Sequence, residues 1–557
     1  MMKKILTWID TNLFTWLALA LIVVVPLYPK IPLADVLPGY IVRVRLDDIL
    51  MAFAAGCYVI QLLRKKVKVP PKIMWYLFGT YVVIGFISSL SAVFITHTVT
   101  TNPYQLLKLA FHWARRIEYF SLFFVVYAGI RNRRDVKRFL LVGLLSLVGS
   151  IVYGFGQKYL YWPAFSTMNR EFSKGMMLYL TPQSRVMSTF GGHYDYAAYL
   201  MMSLGVTIPA MWIIKNKLVK MLLGIISLAA YWSLLLTASR TSWGGYIVAL
   251  AVSTFVLILS YGWKWGLKRY VIIMTISMVM MLTIGDMSER FYQIIQSPAT
   301  LHQVFYWIPE GEIDRRIAKA KDYIFIAQQW RQHLTEPSSN VAPPKNSIST
   351  DELAQVATPS DTPPQTTKPL PPDVTQAEDD LRLTQIATTS GNATASATTT
   401  VVGGGYSANA LKYGLSAAIR LDALWPLAVE GFKRNPLLGS GYSTLTKSTV
   451  DEFTEAESTD NDYLRMLGET GLLGTISFLA ILAYLAGQGI RYTHKDHDTM
   501  TRIVGIGMLS AVIGLLVNAT YIDVFESSKV AYTLWMLAAL CIWLGVEKRI
   551  TTDAKEV

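Results

Sequence analysis

Charged residues are scarce in this chain: Asp, Glu, Lys and Arg make up 16% of its 557 residues, where a soluble globular domain carries about 25%. Cysteine is scarcer still. Cys57 and Cys541 both sit inside apolar runs, which excludes a disulfide framework and leaves the redox compartment open. Histidine occurs only at 97, 112, 193, 302, 333, 494 and 497. The closest pair, in "HKDH" at 494–497, falls in a solvated loop and gives weak support to a metal site. The chain shows no internal repeat of the kind many transporters carry. It also lacks a small-residue cleavage site after the first apolar run, which follows "MMKKILTWIDTN". That run is therefore expected to stay as a span rather than leave as a signal peptide.

Apolar residues, by contrast, are abundant. They make up 52% of the chain, mean hydropathy is +0.35, and 15 Trp and 30 Tyr are available for interfacial belts. About 20 apolar residues at ~1.5 Å rise cross a ~30 Å hydrocarbon core. Runs of this kind predict an all-α, polytopic membrane helix bundle of about twelve transmembrane helices. They fall near 12–29, 47–63, 73–95, 112–130, 138–157, 194–213, 220–237, 243–261, 270–285, 469–488, 503–520 and 527–546.

A formal net charge of +13 would suit nucleic acid, but the placement of the charge argues against that partner. Lys and Arg gather in alternate short links: "RKKVKVPPK", "RNRRDVKR", "KNKLVK", "GWKWGLKR", "RYTHKDHD" and the terminal "EKRITTDAKEV". That is an orientation signal, and with an even number of helices it predicts both termini in the cytoplasm. The organisation expected is spans one to nine over 1–285, a large extracytoplasmic loop over 286–468, and spans ten to twelve with a cytoplasmic tail over 469–557. Within the loop, about 335–408 is rich in Pro, Ser, Thr and Gly and buries too little apolar surface to offset chain entropy, so disorder is expected there. The flanking "IDRRIAKAKDYIFIAQQWRQHL" and "GLSAAIRLDALWPLAVEGFKR" have helical periodicity.

Polar candidates cluster on the expected outer side. Arg240, in "LLLTASRTSWGG", ends the seventh predicted span. Arginine at a bilayer centre costs on the order of 2.5–3.5 kcal/mol, so one flanked by Thr237, Ser239, Thr241 and Ser242 marks a wet pocket or an interface; the bland alternative is snorkelling to lipid phosphate. Arg185 precedes the sixth span in "SRVMSTFGGHYDYAAYL", where Gly191 and Gly192 would let the backbone turn tightly and approach a ligand. Alone, this arginine reads as structural. Arg115 and Arg116 with Glu118 form either an ion pair or part of the same cavity. "RLDALWPLAVEGFKRNPLLGSGY" contributes Arg420 and Trp425 and closes on a G-x-G that reads as an ordinary turn. In "ESTDNDYLRMLGETGLLG", Asp460, Asp462, Tyr463 and Glu469 meet the tenth span. Carboxylates suit a helix N-terminus, and Thr459 with Asp462 has the spacing of a capping box.

In order, an outer "R…TF", then "LTASR" ending a span, then "R…W…NPLLGSGY", then "DNDYLRMLGETGLLG" resembles the O-antigen ligase and O-antigen polymerase family. The likeness covers roughly 180–480, with the multi-span topology around it. The resemblance implies a metal-independent, inverting glycosyltransferase of the bacterial inner membrane, without a cofactor. Its donor would be a glycan linked to polyprenyl pyrophosphate, and its acceptor a hydroxyl on another glycan, on lipid A-core or on a protein. The family's paired arginines fall on Arg185 and Arg240, implying a pyrophosphate grip, and Arg420, Tyr463, Glu469 and Arg116 would support it. The family's ligases have histidine then asparagine where this chain has Asp460 and Asn461. Histidine, of pKa ~6.5, is a stronger base than aspartate, at ~3.9. Asp460 takes the place of the general base, with Asp462 and His193 as substitutes. A transporter or flippase of about twelve helices, the competing class, would predict repeat symmetry and broken helices with ionisable groups near the midplane.

Overall fold

A computed structural model describes residues 2–35, 43–168, 170–181, 184–283, 419–447 and 458–556. The expected disordered insert and most of the large loop lie outside these residues. The described chain is helical apart from a small antiparallel hairpin, β1 (Pro32–Asp35) and β2 (Arg43–Arg45). Before the large loop come α1 (Met2–Leu27), α2 (Leu46–Leu63), α3 (Lys72–Phe94), α4 (Pro103–Gly129), α5 (Arg133–Leu160), the single turn α6 (Arg170–Ser173), α7 (His193–Ile213), α8 (Lys217–Leu236), α9 (Arg240–Tyr261) and α10 (Trp263–Thr283). After it come a π-helical turn at Arg420–Leu424, α11 (Trp425–Arg434), α12 (Asp462–Tyr492), α13 (Thr499–Asn518) and α14 (Ser528–Glu556).

Many of these helices start where the sequence provides a cap. Asn102, Asn132, Asn216, Ser239, Asn461 and Asp498 each accept hydrogen bonds from main-chain N–H groups of the first turn, which the helix itself leaves unsatisfied. Thr459 is therefore not the cap of α12. Asn461 is, and the Thr459 hydroxyl is turned to the Asn461 carbonyl and to Asp523.

Among the described residues ten helices are long and apolar enough to cross a membrane. Large apolar side chains cover their outer faces: Leu259 on α9 is 74% exposed and Phe255 59%. That pattern suits lipid, not water. Each predicted run coincides with a helix, but several helices are longer than their apolar run. α4 begins at Pro103 rather than 112, so Arg115, Arg116 and Glu118 lie well inside it and not at its end. In α1 only Asn12–Leu27 is apolar, a stretch shorter than the ten.

α13 is the central helix. It is almost wholly buried and packs on α7, α9, α12 and α14. Close approach is made possible by small residues: a side chain at Gly245 would strike the Gly514 carbonyl, and one at Gly489 the Gly505 carbonyl. With no hydrophobic drive between helices in lipid, such backbone proximity and van der Waals contact carry much of the association.

The basic links gather at one end of the bundle. Asp10 bonds to Arg64 and Lys66, and Arg133, the first residue of α5, pairs with Asp498 and Glu547. The opposite end, here the site end, collects the N-termini of α2, α7, α9, α12 and α14. Lys30, after α1, meets Asp47 of α2 at 2.7 Å and Ser528 of α14 at 2.7 Å. Lys529 donates to the carbonyls of Pro26, Tyr28 and Thr189. Buried charges of this kind are tolerated because they are paired or capped by carbonyls.

Candidate active site at one end of the bundle

α12 is broken near its start. Gly471 has φ +64 and ψ −164, a region open essentially to glycine alone. In a straight helix the Gly468 and Glu469 carbonyls would accept from the Leu472 and Leu473 N–H groups. Here the segment 435–441 supplies all four partners. Ser440 N–H donates to Gly468 O (2.8 Å), Gly441 N–H to Glu469 O (2.9 Å), Leu472 N–H to Pro436 O (2.9 Å) and Leu473 N–H to Leu437 O (3.2 Å). The "NPLLGSGY" segment is thus no ordinary turn. It is a strap whose main chain replaces the bonds the break removes, the condition for irregular backbone inside a membrane protein. Ser88 of α3 ties both sides, donating to Leu438 O (2.7 Å) and Glu469 O (2.8 Å).

The carboxylates around this break are held by guanidinium groups. Glu469 accepts from Ser443 N–H at 3.0 Å and lies 3.4 Å from Arg465 Nε and 3.9 Å from Arg116 Nη2. Arg116 bonds to Glu526 in the link between α13 and α14 and stands over the Tyr442 ring. It does not pair with Glu118, as its sequence neighbourhood suggested. Glu118 accepts from the Tyr532 hydroxyl at 2.5 Å, and Arg115 pairs with Asp48 and donates to the Tyr119 hydroxyl. The turn of α4 separates consecutive side chains by about 100° and sends them to different neighbours. Burial pushes the Glu526 carboxyl upward, but Arg116 and then Arg465 outweigh it and hold it at about 2.

Asp523, in the same link, organises the approach to α12. It accepts from Thr459 N–H (3.0 Å), Asn461 N–H (2.9 Å), the Ser458 and Thr459 hydroxyls and Arg465 Nη1 (3.0 Å). This carboxylate fixes the loop in which Asp460 has a left-handed φ of +50. Asp460 then meets Arg420 Nη2 at 2.8 Å, its side chain 36% exposed and that of Arg420 10%. Burial raises the Asp460 carboxyl above its ordinary value; Arg420 opposes the rise and Asp523 adds to it. Asp462 faces elsewhere. It accepts from Phe525 N–H at 3.1 Å and lines a small cavity with Tyr81, Arg116, Phe478, Glu526 and Trp535. Tyr463 spends its hydroxyl on the Leu516 carbonyl at 2.7 Å.

Arg185 donates from Nη1 to His193 Nε2 at 3.0 Å. A guanidinium has no lone pair to accept with, so that imidazole nitrogen is the acceptor. His193 is the first residue of α7, not part of a loop, and is buried. As arranged, it orients Arg185 rather than offering that nitrogen as a base. Gly191 and Gly192 serve a different end from the one expected: a side chain at Gly191 would collide with Thr167 of the preceding link, one at Gly192 would crowd Met168, and neither has a positive φ. Arg240 begins α9 instead of ending α8, and its side chain is exposed.

A chain of bonds connects these segments. Val186 N–H, next to Arg185, donates to Leu236 O at the end of α8. Ser239 caps α9, and Ser242 one turn on donates to Asn518 Oδ1 at 3.0 Å. Ala519 O accepts from Asp462 N–H, and Thr520 O from Asn461 Nδ2. The segments bearing Arg185, Arg240, Arg420 and Asp460 therefore share one end. Ser188, Ala238, Ser443 and Asp460 in these links all have left-handed φ, and such sparsely populated backbone gathers at functional sites.

Sequence reasoning passed over Asp523, Glu526 and Arg465. A usable signal was there: Arg465 precedes Glu469 by one helical turn, and "YIDVFESSK" puts two carboxylates in the short link on the expected outer side. The chain matches no protein-family model and no curated protein.

Proposed function

We propose that the protein is an integral membrane glycosyltransferase of about twelve spans, counting α1 and α4, with the site end on the extracytoplasmic side. It transfers a glycan from a polyprenyl-pyrophosphate carrier to an acceptor hydroxyl. The observation that carries this reading is the hydrogen-bonded chain joining the Arg185, Arg240 and Asp460 segments at one end of an apolar bundle. The carrier's tail remains in lipid. Arg185 and Arg240 take the diphosphate oxygens, with charge-assisted bonds of about 1.5–3 kcal/mol each, and stabilise the charge that grows on the departing diphosphate. Asp460 accepts the acceptor's proton as its oxygen attacks the anomeric carbon from the opposite face, which inverts the configuration. The resemblance to O-antigen ligases and polymerases supports the same chemistry.

One feature favours transport instead: a broken helix with ionisable groups beside the break. Two points weigh against it. The four main-chain groups freed at Gly471 are all engaged by the strap, leaving none of them for a passing ion. Glu469 also lies only seven residues into α12, about 10 Å from its start and about 12 Å short of its middle.

The test is transfer by purified protein from a polyprenyl-diphosphate oligosaccharide. Arg185→Ala and Arg240→Ala are each expected to cut the rate about 10²-fold or more, the size of losing one charge-stabilising donor. Normal rates in both variants would end the diphosphate assignment. Carrier-dependent glycan translocation without bond transfer would establish the transport reading.

A further inference from the structure

The Arg420–Asp460 pair is backed by aromatic rings. The Arg420 guanidinium lies over the Tyr521 ring, 5.4 Å from its centroid, and Trp425 meets the same ring edge-on at 5.9 Å and 66°. Tyr521 remains 42% exposed, and its hydroxyl makes no hydrogen bond among the described residues. The main chain that carries the ring is firmly held. Tyr521 N–H and Ile522 N–H both donate to Asn518 O, the Asn518 side chain is fixed by Ser242, and Thr520 O by Asn461. A partly open aromatic ring on a fixed main chain, set beside a guanidinium–carboxylate pair, is preorganised for a ligand.

We propose that Tyr521 is the stacking platform for a pyranose ring of the glycan, with Arg420 and Asp460 serving that sugar's hydroxyls. The chemistry selects this ligand over the others present at a membrane face. A pyranose offers an apolar C–H face, whose hydrogens carry positive charge, to the negative face of an aromatic ring. Each of its hydroxyls both donates and accepts, and a guanidinium beside a carboxylate supplies one of each. A phosphate would be repelled by Asp460. A lipid tail would offer the ion pair no hydrogen bond and cover it with hydrocarbon. This inference rests on the glycosyl-transfer reading and adds the residue that holds the sugar next to the proposed base. It makes Tyr521 a specificity residue that favours a sugar acceptor over a protein hydroxyl.

The experiment uses the full chain in nanodiscs, because the head group of a maltoside detergent is itself a pyranose. Saturation-transfer NMR measures binding of methyl glycosides of galactose, glucose and N-acetylglucosamine to the wild type and to Tyr521→Ala, Tyr521→Leu, Tyr521→Phe and Tyr521→Trp. At least one glycoside is expected to bind the wild type and to bind about tenfold more weakly to the Ala and Leu variants, the equivalent of about 1.4 kcal/mol. Phe and Trp variants retain binding. In the transfer assay the same Ala and Leu variants raise KM with kcat little changed. The proposal is overturned if no glycoside binds the wild type, if Leu binds as well as Tyr, or if Phe is as poor as Ala. The two readings separate cleanly. Protein that binds glycosides through Tyr521 but transfers nothing loses the transferase assignment and keeps the platform, whereas normal transfer kinetics in Tyr521→Leu does the reverse.

Discussion

Replacing Gly471 by alanine tests whether the break in α12 and the strap form one unit. The new methyl meets two obstacles. Its backbone, at φ +64 and ψ −164, is in a region that costs a non-glycine residue about 1–3 kcal/mol. Its Cβ would also collide with the carbonyl of Leu437 and the amide of Leu438, so the strap has to withdraw. Withdrawal gives up the Leu472–Pro436 and Leu473–Leu437 bonds, at about 1–3 kcal/mol for each buried group left unpaired. Counting one unpaired group per lost bond, the cost is about 3–9 kcal/mol, less whatever α12 regains by closing its own bonds across residue 471. Gly487→Ala in the same helix is the control: nothing lies within 4 Å of a Cβ there, and alanine in a helix gains up to about 1 kcal/mol over glycine. Denaturant unfolding of both variants in one lipid system, with hydrogen exchange over 435–444, reads the result. Gly471→Ala is expected to be much the less stable and to expose the strap. A Gly471→Ala protein as stable as Gly487→Ala, with the strap still protected, would refute the reasoning.

Glu526→Gln keeps the shape but leaves Arg116 and Arg465 one carboxylate short, and breaking a buried pair in this way costs about 3–5 kcal/mol. Because the native carboxyl is held at about 2, below its ordinary ~4.5, its contribution is complete above the ordinary value and is lost as pH falls through about 2. The stability gap between wild type and Glu526→Gln, measured by denaturant titration, should therefore close on acidification. For Asp460 the sign is reversed. Its raised carboxyl means the folded protein prefers the protonated form, so ionisation costs some stability as pH rises above the ordinary ~3.8. The rate of transfer, which needs the ionised base, should fall on acidification with a midpoint above that value. Asp460→His should move this limb toward ~6.5, and Asp460→Asn should abolish it with a loss of about 10²–10⁴-fold. A pH–rate profile unchanged in Asp460→Asn assigns the proton to another group.

The spans were legible because a bilayer imposes one length and one polarity on whatever crosses it, and apolar runs such as "IVALAVSTFVLIL" carry both in a local stretch of sequence. Helix starts were legible where Asn, Ser or Asp stands before the run, since a cap is also a local interaction. The extent of α4 was not. Its charged turns look like a membrane boundary until one sees that Arg116 finds Glu526, 410 residues away, and pairing across such a separation leaves no periodic trace. The site divides along the same line. Arg240 could be found as a polar residue where an apolar run ends, and Arg420 and Asp460 from short motifs in the large loop, whereas Asp523 and Glu526 leave only two carboxylates in a short link, a weak signal that resembles any solvated turn. Gly471 and "NPLLGSGY" are the sharpest case. A glycine in a membrane helix is ordinarily a packing residue, and a G-x-G after a helix is ordinarily a turn. Each is weak evidence alone, and only their contact makes them specific: the strap's Ser440 and Gly441 amides sit at the carbonyls that the break at Gly471 sets free. The carboxylates of "DNDYLRMLGE" thus stand at the head of this span because the helix there does not simply enter lipid. It is built against a second segment, and the charges that hold it come from α4, from α12 itself and from the link between α13 and α14, which the linear sequence keeps far apart.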